Sequence, residues 1–144
     1  MTNEENNTQD QTVTDEQLLP DITTDWFLAD LVASCNYTGN SYGITIFCNG
    51  LMVTGQLISG KEYFELLSNL LSNDKMPAEE MFLREKSYYE KDNLADKTVY
   101  IHLKDAKAMH SNGKAVPNNG CLWRGQLNHV SGFCFGILAA EVVD

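Results

Sequence analysis

Residues 44–67 hold the clearest pattern in the chain, because apolar residues first alternate with their neighbours and then recur at helical spacing. Two alternating runs flank Asn49-Gly50, which favours a two-residue type I′ turn, since both central positions of that turn need a positive φ. A turn of two residues sets the register and places Cys48 opposite Leu51. The pattern therefore predicts an antiparallel hairpin with one apolar face.

A helix is predicted directly after the hairpin. Ser59 is expected to cap it, with Glu62 at the third helical position completing a capping box. The apolar residues that follow at helical spacing are Tyr63, Phe64, Leu66, Leu67, Leu70 and Leu71.

Two more helices are predicted, one before and one after this segment. The first begins at a Thr24 cap and ends near Gly39. Its expected apolar stripe is Trp26, Phe27, Leu31, Val32 and Cys35. The other begins at Pro77, carries two glutamates in its first turn, and is interpreted as a charged surface helix over one edge of the sheet.

Strand periodicity returns at residue 97, where Val99, Ile101 and Leu103 alternate with more polar residues. A turn-rich loop is predicted over residues 111–120, followed by two strands over 121–137. The expected fold is α+β: a mostly antiparallel meander, or a small SH3-like or Sm-like barrel, of about five strands with two to three packed helices.

The first 20 residues hold five carboxylates and no Lys or Arg. A segment with so little apolar surface cannot offset its chain entropy, so residues 1–20 are predicted to be a disordered acidic tail. Residues 21–144 are expected to form one domain.

Charge narrows the possible partners. The chain has 20 Asp and Glu against 10 Lys and Arg, a formal net charge of −10. This argues against binding to nucleic acid or to an anionic membrane surface, since both need clustered basic residues. No export signal or membrane-spanning run is evident, so a cytoplasmic protein is expected.

No catalytic, cofactor or metal motif stands out. The three histidines lack ligand spacing, the four cysteines form no CxxC pair, and the glycines form no phosphate loop. A Cys–His nucleophilic pair stays open, because such residues meet in space and not in sequence. Cys121 is expected to be exposed, and the other three cysteines are expected to be buried as small hydrophobes. Neither an enzyme nor a cofactor is predicted.

An interaction protein fits the remaining residues better. Aromatic residues, Met and Arg favour interfaces, and the candidate interaction residues are Phe47, Met52, Trp123, Arg124, Phe133 and Phe135. Alternatively, the aromatic residues complete the core, which is the favoured reading for Trp123. Arg124 is expected to be exposed or paired with a carboxylate such as Asp105.

Three segments, "VTGQLISGKEYFELL" (53–67), "YIHLKDAKAM" (100–109) and "LWRGQLNHVSGFCFG" (122–136), resemble the gas vesicle accessory proteins of the GvpU type. The similarity spans most of residues 26–138, apart from the 76–96 helix. It implies a cytoplasmic, non-enzymatic protein that associates with gas vesicle shell proteins. It also implies that the protein self-associates as a homo-oligomer and so influences vesicle assembly or clustering.

A second similarity covers only fragments. The spacing of Gly50, Gly55 and Leu57, together with "WRG" (123–125), is similar to the two motifs of Sm-like proteins, which bind RNA in oligomeric rings. The alternative function is therefore an Sm-like RNA-binding module. The same spacing also suits any strongly bent small sheet, where glycine permits the bend.

Overall fold

In the computed structural model the chain is described at residues 24–90 and 98–139. The tail predicted over residues 1–20 lies outside the described residues, and the domain limits 21–144 stay a prediction. Within the described residues the element order is α1 (Trp26–Thr38), β1 (Tyr42–Cys48), β2 (Leu51–Ile58), α2 (Gly60–Leu71), a 3-10 turn (Ala78–Glu80), α3 (Leu83–Tyr88), β3 (Tyr100–Met109), β4 (Ala115–Gln126), a second 3-10 turn (Leu127–His129) and β5 (Val130–Phe135).

The strands form one antiparallel sheet in the order β4-β3-β2-β1-β5, which confirms the α+β meander of five strands with three helices. Only the short 3-10 turn joins the two outer strands, β4 and β5. The four residue steps from Gln126 to Val130 span at most about 14 Å, whereas the outer strands of a flat five-stranded sheet lie roughly 19 Å apart. The sheet must therefore curl strongly. It does not close, so the barrel is not formed.

The hairpin of β1 and β2 has the predicted register, with Cys48 opposite Leu51 and Ile44 opposite Gly55. Asn49 and Gly50 both have positive φ, 52° and 78°, as the type I′ turn requires. The glycine at 55 has a packing reason, since a Cβ there would meet the backbone of Ala106 on β3 at 3.0 Å.

Helix α1 begins one residue later than expected. Asp25, not Thr24, is its cap, and the carboxylate of Asp25 accepts from the backbone N–H groups of Phe27 and Leu28. The helix ends as predicted at Gly39, where φ is 75° and the backbone N–H donates to the carbonyl of Cys35.

Helix α2 is capped by Ser59, whose hydroxyl accepts from the N–H of Glu62 at 3.0 Å. The second half of the predicted capping box is not formed. The Glu62 carboxylate instead accepts a 2.7 Å hydrogen bond from Lys104 on β3, because this side chain faces the sheet and not the helix start.

The single helix predicted from Pro77 is wrong. The chain makes one 3-10 turn, extends at Met81 and takes a left-handed conformation at Phe82, with φ of 54°, before α3 begins. This break brings the Phe82 ring to 5.9 Å from Phe64 on α2, so tertiary packing overrides helix propensity here. Helix α3 makes its main contacts with α2.

The loop predicted over residues 111–120 is mostly strand. Only the turn around Gly113 is irregular, and β4 already pairs with β3 from Ala115 onward. The turn-rich composition reflects an edge strand with a bulge, at which Gly120 (φ 74°) packs against Asp105 (φ 51°). Pro117 fits here because an edge strand can spare a backbone donor.

The two faces of the sheet are covered differently. Helix α1 packs on one face through Leu28, Val32 and Cys35 and forms the main core there. Helix α2 covers part of the other face, which we call the α2 face, where Phe64 and Tyr89 form a second cluster.

Residues 136–138 cross the α2 face over β1 and β2. The hydroxyls of Thr45 and Thr54 lie 2.9 Å apart, fully buried. Thr45 donates to the carbonyl of Gly136, and Thr54 accepts from the N–H of Leu138. These bonds satisfy two hydroxyls that would otherwise be buried without partners.

Candidate interaction surface

The six residues predicted from sequence as an interaction site lie in four places. Phe133 and Phe135 lie on the α1 face of β5, and Trp123 lies on the same face of β4. Phe47, Met52 and Arg124 lie on the α2 face. Arg124 is on β4, apart from Phe47 and Met52 on β1 and β2, so the structure does not bring the six together in one site, although two of the four places expose aromatic side chains.

A group of neighbouring aromatic side chains, most of them exposed, joins α1 to the edge strand β5. Its members are Trp26, Phe27, Phe133 and Phe135, which we call the aromatic surface. The Phe27 ring lies 6.0 Å from Trp26, 5.7 Å from Phe133 and 6.4 Å from Phe135, between ring centroids. Such tilted and edge-on distances are those of interacting aromatic pairs.

Local structure explains why these rings meet. The Asp25 cap starts α1 at Trp26, so the first helical turn lies beside β5. In β5, residues 133 and 135 point to the same side because strand side chains alternate, and they stand opposite Ile46 and Ile44 of β1. The inner edge of the aromatic surface therefore continues the core.

Much of this surface is open. Trp26 is 74% exposed, Phe27 47% and Phe135 55%, while Phe133 is partly buried against the core. The apolar stripe predicted for α1 includes Trp26 and Phe27, and that prediction is wrong because both rings are exposed. The buried positions Leu28, Val32 and Cys35 follow i, i+4, i+7 spacing, a signal in the sequence that would have assigned the two aromatic residues to the surface.

A smaller apolar pair lies at the turn end of the hairpin on the opposite face. Phe47 and Met52 are cross-strand partners, and Phe47 is 40% exposed. Its neighbour on β5 is Gly132, which leaves the ring without a facing side chain on that strand. We call Phe47 and Met52 the hairpin pair; the sheet separates it from the aromatic surface.

Trp123 belongs to the core more than to a surface. It is partly buried, packs against the main cluster and lies over Gly125, where any Cβ would overlap the indole ring. The glycine of "WRG" is thus explained by this close approach.

Arg124 is exposed and makes no ion pair with Asp105 or with any other described carboxylate. Its guanidinium carbon lies 3.8 Å from the ring centroid of Tyr100 and 5.6 Å from that of Phe64. Stacking on an aromatic face is an ordinary way to hold an arginine outside an ion pair.

The four cysteines differ in burial, and two of them, Cys35 and Cys48, are buried. Burial raises the pKa of Cys35 to about 11 and also raises the pKa of Cys48, so both are poor nucleophiles. Cys121 is exposed, as predicted. Cys134 is exposed as well, against the prediction, because it lies on an edge strand.

Within residues 24–90 and 98–139, no group of three His, Cys, Asp or Glu side chains lies close enough to hold a metal ion. No helix in this part of the chain is long and apolar enough to cross a membrane.

Comparison with known families adds the remaining observation. The family model described as gas vesicle protein GvpU-like matches residues 25–138. The chain belongs to the GvpU-like family of gas vesicle proteins. No match was found among curated proteins, and none among solved structures.

The GvpU-like match runs from the α1 cap to the segment that crosses the α2 face. It includes the 76–96 segment, which the resemblance in the sequence analysis left out. The aromatic surface and the hairpin pair both lie within it, so both are parts of the GvpU-like domain.

Proposed function

We propose that this GvpU-like protein is a non-enzymatic cytoplasmic accessory protein that associates with the gas vesicle shell and influences vesicle assembly or clustering by self-association. The observation that carries the proposal is the aromatic surface: four neighbouring rings, three of them exposed to solvent, on an edge of the sheet. Exposed apolar patches of this kind mark sites of protein–protein contact.

The free energy gained by covering the aromatic surface is large enough to support association. Trp26 and Phe135 are 74% and 55% exposed, so covering each would contribute on the order of 1–2 kcal/mol. Strand β5 adds a second attraction, because one of its sides pairs with β1 and the other is an edge of the sheet. Edge strands offer backbone donors and acceptors to a further chain.

Clustering needs more than one contact per copy. The aromatic surface and the hairpin pair lie on opposite faces of the sheet, so one copy can bind two neighbours at once. Contacts between unlike patches do not close on themselves as a two-fold dimer does, and they can extend from copy to copy. This arrangement supports a bridging role between vesicles.

Two assays test the proposal separately. Sedimentation velocity measures self-association of the purified protein, and co-flotation with purified gas vesicles measures shell binding. Trp26→Ser and Phe135→Ser are expected to weaken both. Tyr37→Ser is the matched control, since Tyr37 is an 85% exposed aromatic residue on the same helix, outside the aromatic surface.

Vesicle clustering is then followed by light microscopy. A Phe47→Ser, Met52→Ser double variant should still bind vesicles through the aromatic surface but should cluster them poorly. If Trp26→Ser and Phe135→Ser fold normally by circular dichroism and still bind and cluster as the parent protein does, the aromatic surface is not the contact. An equal loss in Tyr37→Ser would show a nonspecific effect of removing surface aromatics.

The Sm-like alternative receives no comparable support. Gly55 and Gly125, which belong to the similar motifs, are explained by close packing on Ala106 and Trp123. A spacing that follows from packing does not by itself favour RNA binding.

A further inference from the structure

The two arginines of the chain, Arg84 and Arg124, line the same cleft. Arg84 comes from α3 and Arg124 from β4, so the fold brings together residues that the sequence separates. The cleft has a volume of about 470 Å³, and aromatic side chains form much of its wall, among them Phe64, Tyr89 and Tyr100. We call it the arginine cleft. Its size is within the range of small-molecule sites.

Arg124 is held in place before any ligand arrives. Its guanidinium carbon lies 3.8 Å from the Tyr100 ring centroid and 5.6 Å from that of Phe64. A guanidinium has five N–H donors, and stacking on a ring face uses none of them. A stacked arginine with unused donors is preorganised for a planar, bidentate acceptor.

The positive charge of the cleft is not neutralised by the described residues. The ion pairs among them are Lys61–Glu90, Lys86–Glu65 and Lys104–Glu62, all made by lysine. Glu85 also lines the cleft but forms no ion pair with either arginine. In a chain of net charge −10, the two guanidinium groups share one concave, aromatic site and form no ion pair with any carboxylate in the described part of the chain.

The residue behind Arg124 supplies no opposite charge either. His102 is the cross-strand partner of Arg124, is fully buried, and has no hydrogen-bond partner at either ring nitrogen within the described residues. His102 itself does not line the cleft; the lining residues with polar groups are the two arginines, Glu85, Ser87 and three tyrosines, Tyr88, Tyr89 and Tyr100.

We propose that the arginine cleft binds a small organic oxyanion, a carboxylate or phosphate group attached to a flat apolar body. The arginines would hold the oxyanion, and the aromatic wall would pack against the body. The cleft lies on the α2 face and the aromatic surface on the α1 face, so this site is independent of the proposed self-association. Variants of the arginine cleft leave the aromatic surface intact, and the reverse also holds. Failure of the oxyanion proposal can therefore be told apart from failure of the self-association proposal.

The chain suits a direct test by nuclear magnetic resonance. Because it has two arginines, two Nε–Hε signals report on the cleft, and Arg84→Gln assigns them. Phenyl phosphate, benzoate and inorganic phosphate are titrated into the full-length protein at constant ionic strength. Both signals should shift with phenyl phosphate or benzoate, and inorganic phosphate should bind at least tenfold more weakly because it lacks the flat body. The tighter of the two aromatic probes identifies the oxyanion.

Variants separate a site from general charge attraction. Arg84→Gln and Arg124→Gln should each weaken binding of the better probe about tenfold or more, as expected for loss of a charge-assisted hydrogen bond. Lys75→Gln removes the same charge from an exposed position that does not line the cleft and should change binding less than twofold. Arg84 is exposed on a short surface helix, so its variant avoids the risk that loss of the Arg124 stack unfolds the protein.

Three results would overturn the proposal. The first is no shift of either arginine signal at 20 mM phenyl phosphate and benzoate. The second is equal weakening in Lys75→Gln and the arginine variants, which would mean screening alone. The third has two parts. The parent protein shows no response to any of the three probes, and its arginine signals shift when Asp92 and Asp96 are both replaced by Asn. That result would mean that the chain's own carboxylates use these arginines.

Discussion

The buried histidine, His102, should make the free energy of unfolding depend on pH by a predictable amount. His102 on β3 is fully buried, with aromatic rings around it: Tyr63 at 4.7 Å, Tyr89 at 5.5 Å and Phe64 at 6.2 Å between centroids. Burial, and secondly the positive charge of Arg124, lower the pKa of His102 to about 3. The folded protein therefore keeps this imidazole neutral throughout the ordinary pH range.

The sign and size of the effect follow from linkage. In the unfolded chain the imidazole has a pKa of about 6.5, so unfolding takes up a proton at any pH between the two values, and stability falls as the pH drops below about 6.5. At pH 5.5 the loss attributable to His102 is about 1.4 kcal/mol relative to pH 7.5, and it grows by about 1.4 kcal/mol for each further unit down to pH 3.

The test compares His102→Phe with the parent protein. Phenylalanine keeps a ring among Tyr63, Phe64 and Tyr89 but cannot be protonated. Free energies of unfolding are measured by urea titration at pH 7.5 and pH 5.5, with tryptophan fluorescence as the signal. The parent should lose about 1.4 kcal/mol more than the variant between the two pH values. Since two unpaired ring nitrogens are removed, the variant should be no less stable than the parent at pH 5.5.

The control is His129→Gln, because His129 is exposed on the 3-10 turn before β5. It should show the same pH dependence as the parent. If His102→Phe does so too, His102 is not held neutral by burial, and either water or a protein group reaches its ring in solution.

Three further predictions concern packing, the tail and nucleic acid. Gly125→Ala should lower the free energy of unfolding by about 1–3 kcal/mol, because the added Cβ overlaps the Trp123 ring. The control Gly132→Ala should lower it much less, since the nearest contact of its Cβ is at 4.0 Å. Urea titration measures both free energies. Deleting residues 1–20 removes five carboxylates and changes the formal charge from −10 to −5, which weakens the repulsion between copies. Self-association should therefore begin at lower salt, with an unchanged melting temperature. Loss of association would mean that the tail is adhesive. Single-stranded RNA should show no measurable binding at physiological salt in a fluorescence anisotropy titration, and a salt-dependent micromolar complex would favour the Sm-like alternative.

Local patterns predicted the elements that local chemistry controls. The Asn49-Gly50 turn set the hairpin register residue by residue, and the Ser59 cap and Gly39 end placed two helix boundaries. These features need only a few neighbouring residues, which is why the sequence alone identified them. The helix predicted from Pro77 failed because the Phe82 ring gains more from packing on Phe64 than the chain gains from an unbroken helix.

The candidate sites depended on contacts that no local pattern contains. Strand alternation predicts that Phe133 and Phe135 lie together. Their partner Phe27 comes from α1, which is far from β5 in the sequence although the rings are in contact. Arg124 was assigned to the same site as these rings, yet one residue's step along β4 turns it to the opposite face, where it meets Arg84. Which side of a strand is a surface depends on how helices cover the sheet, and the sequence does not encode this in any short window.

The pairing of β1 with β5 determines when this domain can become complete during synthesis. Ile44 pairs with Phe135, 91 residues later in the chain, and Thr45 pairs with Cys134, 89 residues later. A ribosome making about 5–20 residues per second exposes the free side of β1 for roughly 5–20 s before β5 can cover it. An open strand edge invites pairing with another nascent chain during that interval. Neighbouring ribosomes on one messenger would be the first source of such a partner.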